Sequence, residues 1–172
     1  ELNIISTIRD KVSWTPSSLK IYKTKNNKIF KYGTKNDLLR GMVNGYNSNY
    51  KELELELELF SYNQYIHPIE AFVYENGIFC GWIEKNLSPL NTVSNKEALQ
   101  THCKMQKKLL NCGYISLDCG KDNFTKNNDI IVNFDKGDII HLKRVQNKEI
   151  YIYPDKPYIE FHHIPFYKRD YN

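Results

Sequence analysis

Two short stretches hold residue types that could do chemistry. The first is Asp118-Cys119-Gly120-Lys121-Asp122-Asn123, with an Asp and an Asn five positions apart. The second is Asn133-Phe134-Asp135-Lys136-Gly137, reached through the apolar run IIVNF. A carboxylate can accept or orient the proton of a hydroxyl group, and carboxylate and amide oxygens are the hard donors that Mg2+ takes. A third stretch, KELELELELF from Lys51 to Phe60, carries Glu52, Glu54, Glu56 and Glu58 between leucines. What these groups can do depends on the elements that bring them together.

KELELELELF is locally ambiguous. Strict alternation is the mark of a half-buried strand, yet Glu and Leu are strong helix formers and no β-branched or aromatic residue precedes Phe60. Its neighbours decide the matter. Residues 19–32 (LKIYKTKNNKIFKY) read as a hairpin turning at Lys25-Asn26-Asn27, and residues 69–83 (IEAFVYENGIFCGWI) as another turning at Glu75-Asn76-Gly77. A segment joining two hairpins is best used as a helix crossing one face of a small antiparallel sheet, with Ser48 or Asn49 as its N-cap. A second helix is expected over 94–111, capped by Ser94 or Asn95 and stopped by Gly113, with Leu99, Cys103, Gln106 and Leu110 on one face. The stretch 138–172 alternates apolar and polar residues around Pro154, Pro157 and Pro165, and reads as strands or extended chain.

In this order the motifs resemble the protein-kinase-like fold: D-x-x-x-x-N, a strand, then D-x-G. The resemblance spans about residues 15–140. It implies an α+β, protein-kinase-like architecture, with an N-lobe over 1–85 and a reduced C-lobe over 86–172 in a single domain. It also implies ATP and Mg2+ as cofactors. Under it Asp118 is the catalytic base, and Asn123 and Asp135 hold the metal. Lys31 binds the α/β-phosphates. Glu58 is the glutamate that holds Lys31, with Glu54, one turn earlier on the same face, as second choice. His67-Pro68 falls at the helix exit, and Trp82 to Asn86, including Glu84, becomes the hinge segment beside the adenine.

The chain also departs from that pattern. No glycine precedes Gly33, so Thr15-Pro16-Ser17-Ser18 stands where a glycine-rich loop would cover the phosphates. Ser116-Leu117 replaces the His-Arg of the catalytic loop. The metal site has two registers: Asp135-Lys136-Gly137 keeps the acidic ligand, whereas Asn133-Phe134-Asp135 places Asn at that position. NFDKGD resembles the matching piece of lipopolysaccharide and Kdo kinases, in which Asn133 is the substituted residue. The size and layout resemble the minimal kinases that bacterial pathogens deliver into host cells.

Composition sets bounds. With 172 residues, 41% of them hydrophobic, the chain can bury a real core. No apolar run approaches the ~18 residues of a membrane span. Cys80, Cys103, Cys112 and Cys119 form no CxxC pair, which suits reduced thiols in a reducing compartment, cytoplasmic or inside a host cell. Three functions are in contention. One is an ATP-dependent phosphotransferase acting on a protein hydroxyl. The second is a pseudokinase that binds a protein partner. The third is single-stranded nucleic-acid binding by the tail, where Lys143, Arg144, Lys168 and Arg169 interleave with Tyr151, Tyr153, Tyr158 and Phe161. A net charge of +4 is mild, which accommodates a nucleotide and argues against nucleic acid.

Overall fold

The computed structural model describes residues 4–9, 19–33, 50–90, 92–116, 119–137, 139–142, 149–152 and 159–162. Asp118, expected as the catalytic base, the Thr15–Ser18 stretch, the expected Ser48 or Asn49 cap and the side chains of the basic and aromatic tail lie outside the described residues.

Five strands form one antiparallel sheet. They are β1 (Ile4–Arg9), β2 (Lys20–Thr24), β3 (Lys28–Tyr32), β4 (Ala71–Glu75) and β5 (Ile78–Lys85), in the spatial order β1-β2-β3-β5-β4. The two expected hairpins are present, and their turns use the residues that tolerate positive φ. Asn27 sits at φ 56° between β2 and β3, and Asn76 and Gly77 sit at 51° and 75° between β4 and β5. β3 and β5 lie against each other with Lys31 opposite Trp82 and Tyr32 opposite Gly81. A Cβ on Gly81 would collide with the Lys31 carbonyl oxygen, so this approach requires glycine.

KELELELELF is helical, as part of α1 (Tyr50–Phe60). A helix cannot put four leucines spaced by two on one face, and it does not. Leu53, Leu57 and Phe60 are buried at i, i+4 and i+7, Leu59 is half-buried and Leu55 is exposed. The buried stripe packs into a core that includes Phe79 and Trp82 of the sheet. Alternation in the sequence therefore becomes a partly wasted pattern on the helix, with one leucine left to water.

The second helix, α2 (Asn95–Asn111), begins with a reciprocal capping box. Ser94 Oγ accepts from the Glu97 amide at 3.2 Å, and the Glu97 carboxylate accepts from the Ser94 amide at 2.9 Å. Its buried face runs through Ala98, His102, Met105 and Leu109, while the expected Leu99 and Leu110 are only half-buried. The face is thus rotated by about one residue from the sequence expectation. Cys103 and Gln106 lie near enough to the new face to be buried as well. Gln106 is needed there: its amide accepts from Ser116 N–H at 2.8 Å and donates to the Tyr114 carbonyl at 3.3 Å.

Short antiparallel pairs complete the described part. β6 (Tyr114–Ser116) pairs with β9 (Ile139–His141), β7 (Phe124–Asn127) with β8 (Ile130–Asn133), and β10 (Glu149–Ile152) with β11 (Ile159–His162). The expectation of strands in the last part of the chain is met at β9, β10 and β11. One seam ties the sheet side to this side. Asn133 N–H donates to the Tyr65 carbonyl at 2.7 Å, and His67 N–H donates to the Asn133 carbonyl at 2.8 Å. The seam fixes the end of β8 under the exit of α1, and with it the position of the next segment, Phe134 to Gly137.

Candidate functional site

A cleft of about 440 Å³ opens between the sheet and the 134–137 segment. Its apolar wall comes from Leu19, Ile21, Ile29, Trp82, Leu87 and Leu90, a surface suited to a flat ring. Its charged lining is four lysines, Lys23, Lys31, Lys85 and Lys136, against two carboxylates, Glu84 and Asp135. That excess of cations suits an anion.

The inner end is built around Glu84. Lys31 is opposite Trp82 and Glu84 is opposite Ile29, so Lys31 and Glu84 are diagonal neighbours on one face of the sheet. Lys31 Nζ lies 3.2 Å from Glu84 Oε2 and donates to the Phe134 carbonyl at 2.8 Å. Lys136 Nζ lies 2.6 Å from Glu84 Oε1, which also accepts the Trp82 indole N–H at 2.7 Å. Glu84 is 2% exposed and Lys136 1%. Burial drives the Glu84 carboxyl upward, but the ammoniums of Lys136 and Lys31 outweigh it and hold the group well below the usual carboxylate range. Burial pulls Lys136 down, against the opposing pull of Glu84.

These distances correct the glutamate assignment. Glu58 is exposed on α1 and makes no ion pair with Lys31. Glu54 accepts a hydrogen bond from the Tyr74 hydroxyl of β4, away from the cleft. The reason is geometric. The stripe Leu53-Leu57-Phe60 must face the core, and one residue beyond Leu57 the chain has turned about 100° away from it. Lys31 finds its carboxylate on its own sheet instead.

The hinge assignment shifts too. Trp82 and Glu84 do line the cleft, but they are interior to β5, which stays paired with β3 as far as Lys85 opposite Lys28. The chain leaves the sheet at Asn86, and residues 86–88 form the rim. Asn86 is fixed there by its side-chain amide, which donates to Asn27 Oδ1 at 2.9 Å.

Asp135 lines the cleft and Asn123 does not; Asn123 meets this segment through its backbone. Phe134 N–H donates to the Asn123 carbonyl at 3.0 Å, and Asp135 comes directly after it in the cleft wall. Asp135 Oδ1 accepts from Gly137 N–H at 2.9 Å. Its Oδ2 has no hydrogen-bond partner among the described residues, and the carboxylate is half-buried. Asn133 behaves differently. It is buried, it is absent from the cleft lining, and its Oδ1 accepts from Asp135 N–H at 2.7 Å, which shapes the turn. Among the described residues no three His, Cys, Asp or Glu side chains gather as a metal cluster.

His67, expected at the helix exit, also lines the cleft. Its Nε2 meets the Lys85 carbonyl at 2.9 Å, an acceptor, so the ring proton sits on Nε2. Burial lowers its pKa, although Glu84 and the Lys85 carbonyl pull the other way. The residues that sequence reasoning missed in this role are Lys136 and Glu84 as ion-pair partners. A lysine within D-x-G was visible as a residue; its buried destination was not.

No protein-family model and no curated protein matches the chain. Solved structures do match, among them two kinases. The Cydia pomonella granulovirus kinase PK-1 matches over 87% of this chain and 55% of its own, at 14% identity and a TM-score of 0.51. The vaccinia related kinase 3 matches over 82% and 53%, at 12% identity and a TM-score of 0.44. The chain therefore spans about half the length of the structures it matches. With the five-stranded sheet, its crossing helix and the short pairs beyond, the fold is protein-kinase-like.

Proposed function

We propose that the chain is a nucleotide-dependent phosphotransferase of minimal size, taking ATP with Mg2+ and acting on a protein hydroxyl. The observation that carries this reading is the cleft, where a lysine-rich inner end and the Asp135 carboxylate meet beside an apolar wall. Bound Mg2+ would neutralise phosphate charge, and Asp135 with Asn123 would hold it. Lys31 would contact the phosphates with the N–H left over from Glu84 and Phe134. Asp118 would take the acceptor proton. The whole chain would act as one kinase-like domain, with an N-lobe to about residue 85. Its likeness to delivered bacterial kinases and to the lipopolysaccharide and Kdo kinases belongs to this reading.

One observation supports a second reading, a pseudokinase that works by contact. Lys31 is engaged by Glu84 of its own sheet and by the Phe134 carbonyl, and neither Glu54 nor Glu58 of α1 pairs with it among the described residues. Thermal unfolding with ATP, with and without Mg2+, combined with radiolabel transfer to a general protein acceptor, separates the two. The first reading expects a metal-dependent rise in midpoint and transfer that Asp118→Asn abolishes. A rise without transfer establishes the second, and no rise with either additive refutes both.

A further inference from the structure

The outer side of α1 carries apolar surface that the fold leaves to water. Tyr62 and Leu55, at 80% and 66% exposure, are the two most exposed of the large apolar side chains among the described residues. They belong to one stripe. Past Phe60 the chain keeps turning in the helical sense, since Ser61 N–H donates to the Glu58 carbonyl at 3.1 Å and Tyr62 N–H to the Leu59 carbonyl at 3.2 Å. Leu55, Glu58 and Tyr62 therefore fall at i, i+3 and i+7, on the side opposite the buried Leu53-Leu57-Phe60 stripe.

Charge divides this surface on either side of Tyr62. Along α1 it is acidic: Glu58 is exposed, and Glu54 is half-buried with the Tyr74 hydroxyl on its carboxylate. Beyond Tyr62 it is basic. The Asn63 side-chain amide donates to the Met105 carbonyl at 3.1 Å, and Lys108 Nζ donates to Gln64 Oε1 at 3.5 Å while lying 5.7 Å from the centre of the Tyr65 ring. The turn that carries Tyr62 thus abuts the C-terminal half of α2. That half presents Lys104, Lys107 and Lys108 to water, and residues 98–111 contain no carboxylate. The acid of α2, Glu97, is spent about two turns away from Lys104, on Ser94 and on Lys126 at 3.4 Å.

We propose that this surface is the contact between two copies of the chain, related by a two-fold axis passing near Tyr62. A surface that is acidic at one end, aromatic in the middle and basic at the other is self-complementary. Turning one copy by 180° lays its acidic end on the basic end of the other, twice over, and brings the two Tyr62 rings together. A different partner would have to present the same three features in reverse order, whereas a second copy supplies them by symmetry. Tyrosine is a residue type that anchors the centre of an interface, and charges around it set register. Leu55, Glu58 and Tyr62 are absent from the cleft lining, so the dimer is independent of the phosphotransferase reading.

Sedimentation equilibrium on the 172-residue chain, at concentrations up to about 1 mM, tests this. The expected mass is that of two copies, with association weakening as salt is added. Tyr62→Ser should weaken the dimer about ten- to a hundredfold. Glu58→Lys and Lys104→Glu should each weaken it alone, because like charges then meet across the axis. An equimolar mixture of those two variants should restore it, because the reversed charges face each other at both contacts. All three side chains are exposed, so the variants should keep the circular dichroism of the wild type. Should Tyr62→Ser disturb its turn, the charge-swapped pair decides alone. A chain that stays monomeric at about 1 mM overturns the second copy as occupant. A dimer indifferent to Tyr62→Ser, or a mixture that associates no better than its components, places the contact elsewhere and overturns the proposal. A mass that climbs past two copies with concentration overturns the two-fold axis in favour of head-to-tail growth.

Discussion

Replacing Glu84 by Gln keeps the shape of the side chain and removes its charge, so it isolates what the carboxylate does. Lys136 then loses the sole ion-pair partner it has among the described residues, at 2.6 Å, and stays 1% exposed. Lys31 loses its 3.2 Å partner but keeps the Phe134 carbonyl. Breaking a buried pair from one side costs about 3–5 kcal/mol, because an uncompensated charge is left behind. With a urea slope near about 2 kcal/mol per molar, the unfolding midpoint should fall by about 2 M. Glu58→Gln is the control: Glu58 is exposed, and its change should stay within about 0.5 kcal/mol. The double variant Glu84→Gln/Lys136→Met should recover much of the loss, since both charges are gone. Circular dichroism in a urea titration measures all three. A Glu84→Gln loss below about 1 kcal/mol, or a Glu58→Gln loss that equals it, would refute the placement of the ion pair on the sheet.

The acid limb comes from the same group. The Glu84 carboxyl, held at about 2 in the folded state, takes up a proton more readily when unfolded, so its contribution is present at neutral pH. It should fade from about pH 4.5 down to about 2, read as a midpoint that falls on acidification more steeply in wild type than in Glu84→Gln. Gly81→Ala puts a Cβ against the Lys31 carbonyl oxygen, where neither backbone can yield without parting β3 from β5; a loss of about 3 kcal/mol or more is expected in the same titration. Ser94→Ala removes one half of the capping box and should cost about 1 kcal/mol, and a loss confined to α2 amides in hydrogen exchange would locate it. Asp135→Asn should weaken Mg-ATP binding while leaving adenosine binding alone, as measured by calorimetry.

What the sequence made legible was local, and what it hid was long-range. The hairpins announced themselves because Asn27, Asn76 and Gly77 are the residues that accept positive φ. KELELELELF was resolved as a helix through its flanks, since no window of its own could settle the period. On α2 the helix was legible but its face was not. Ala98 and His102 are poor hydrophobic markers, and their burial depends on what packs against them. The carboxylate beside Lys31 was hidden for a stronger reason. Glu52, Glu54, Glu56 and Glu58 all look alike in sequence, and family spacing favoured Glu58, but only the β3–β5 register places Glu84 diagonal to Lys31. Lys136 lies 52 residues from Glu84, and nothing near it predicts burial of a lysine. A buried triad of this kind adds little net stability, since desolvation of the ions offsets their attraction.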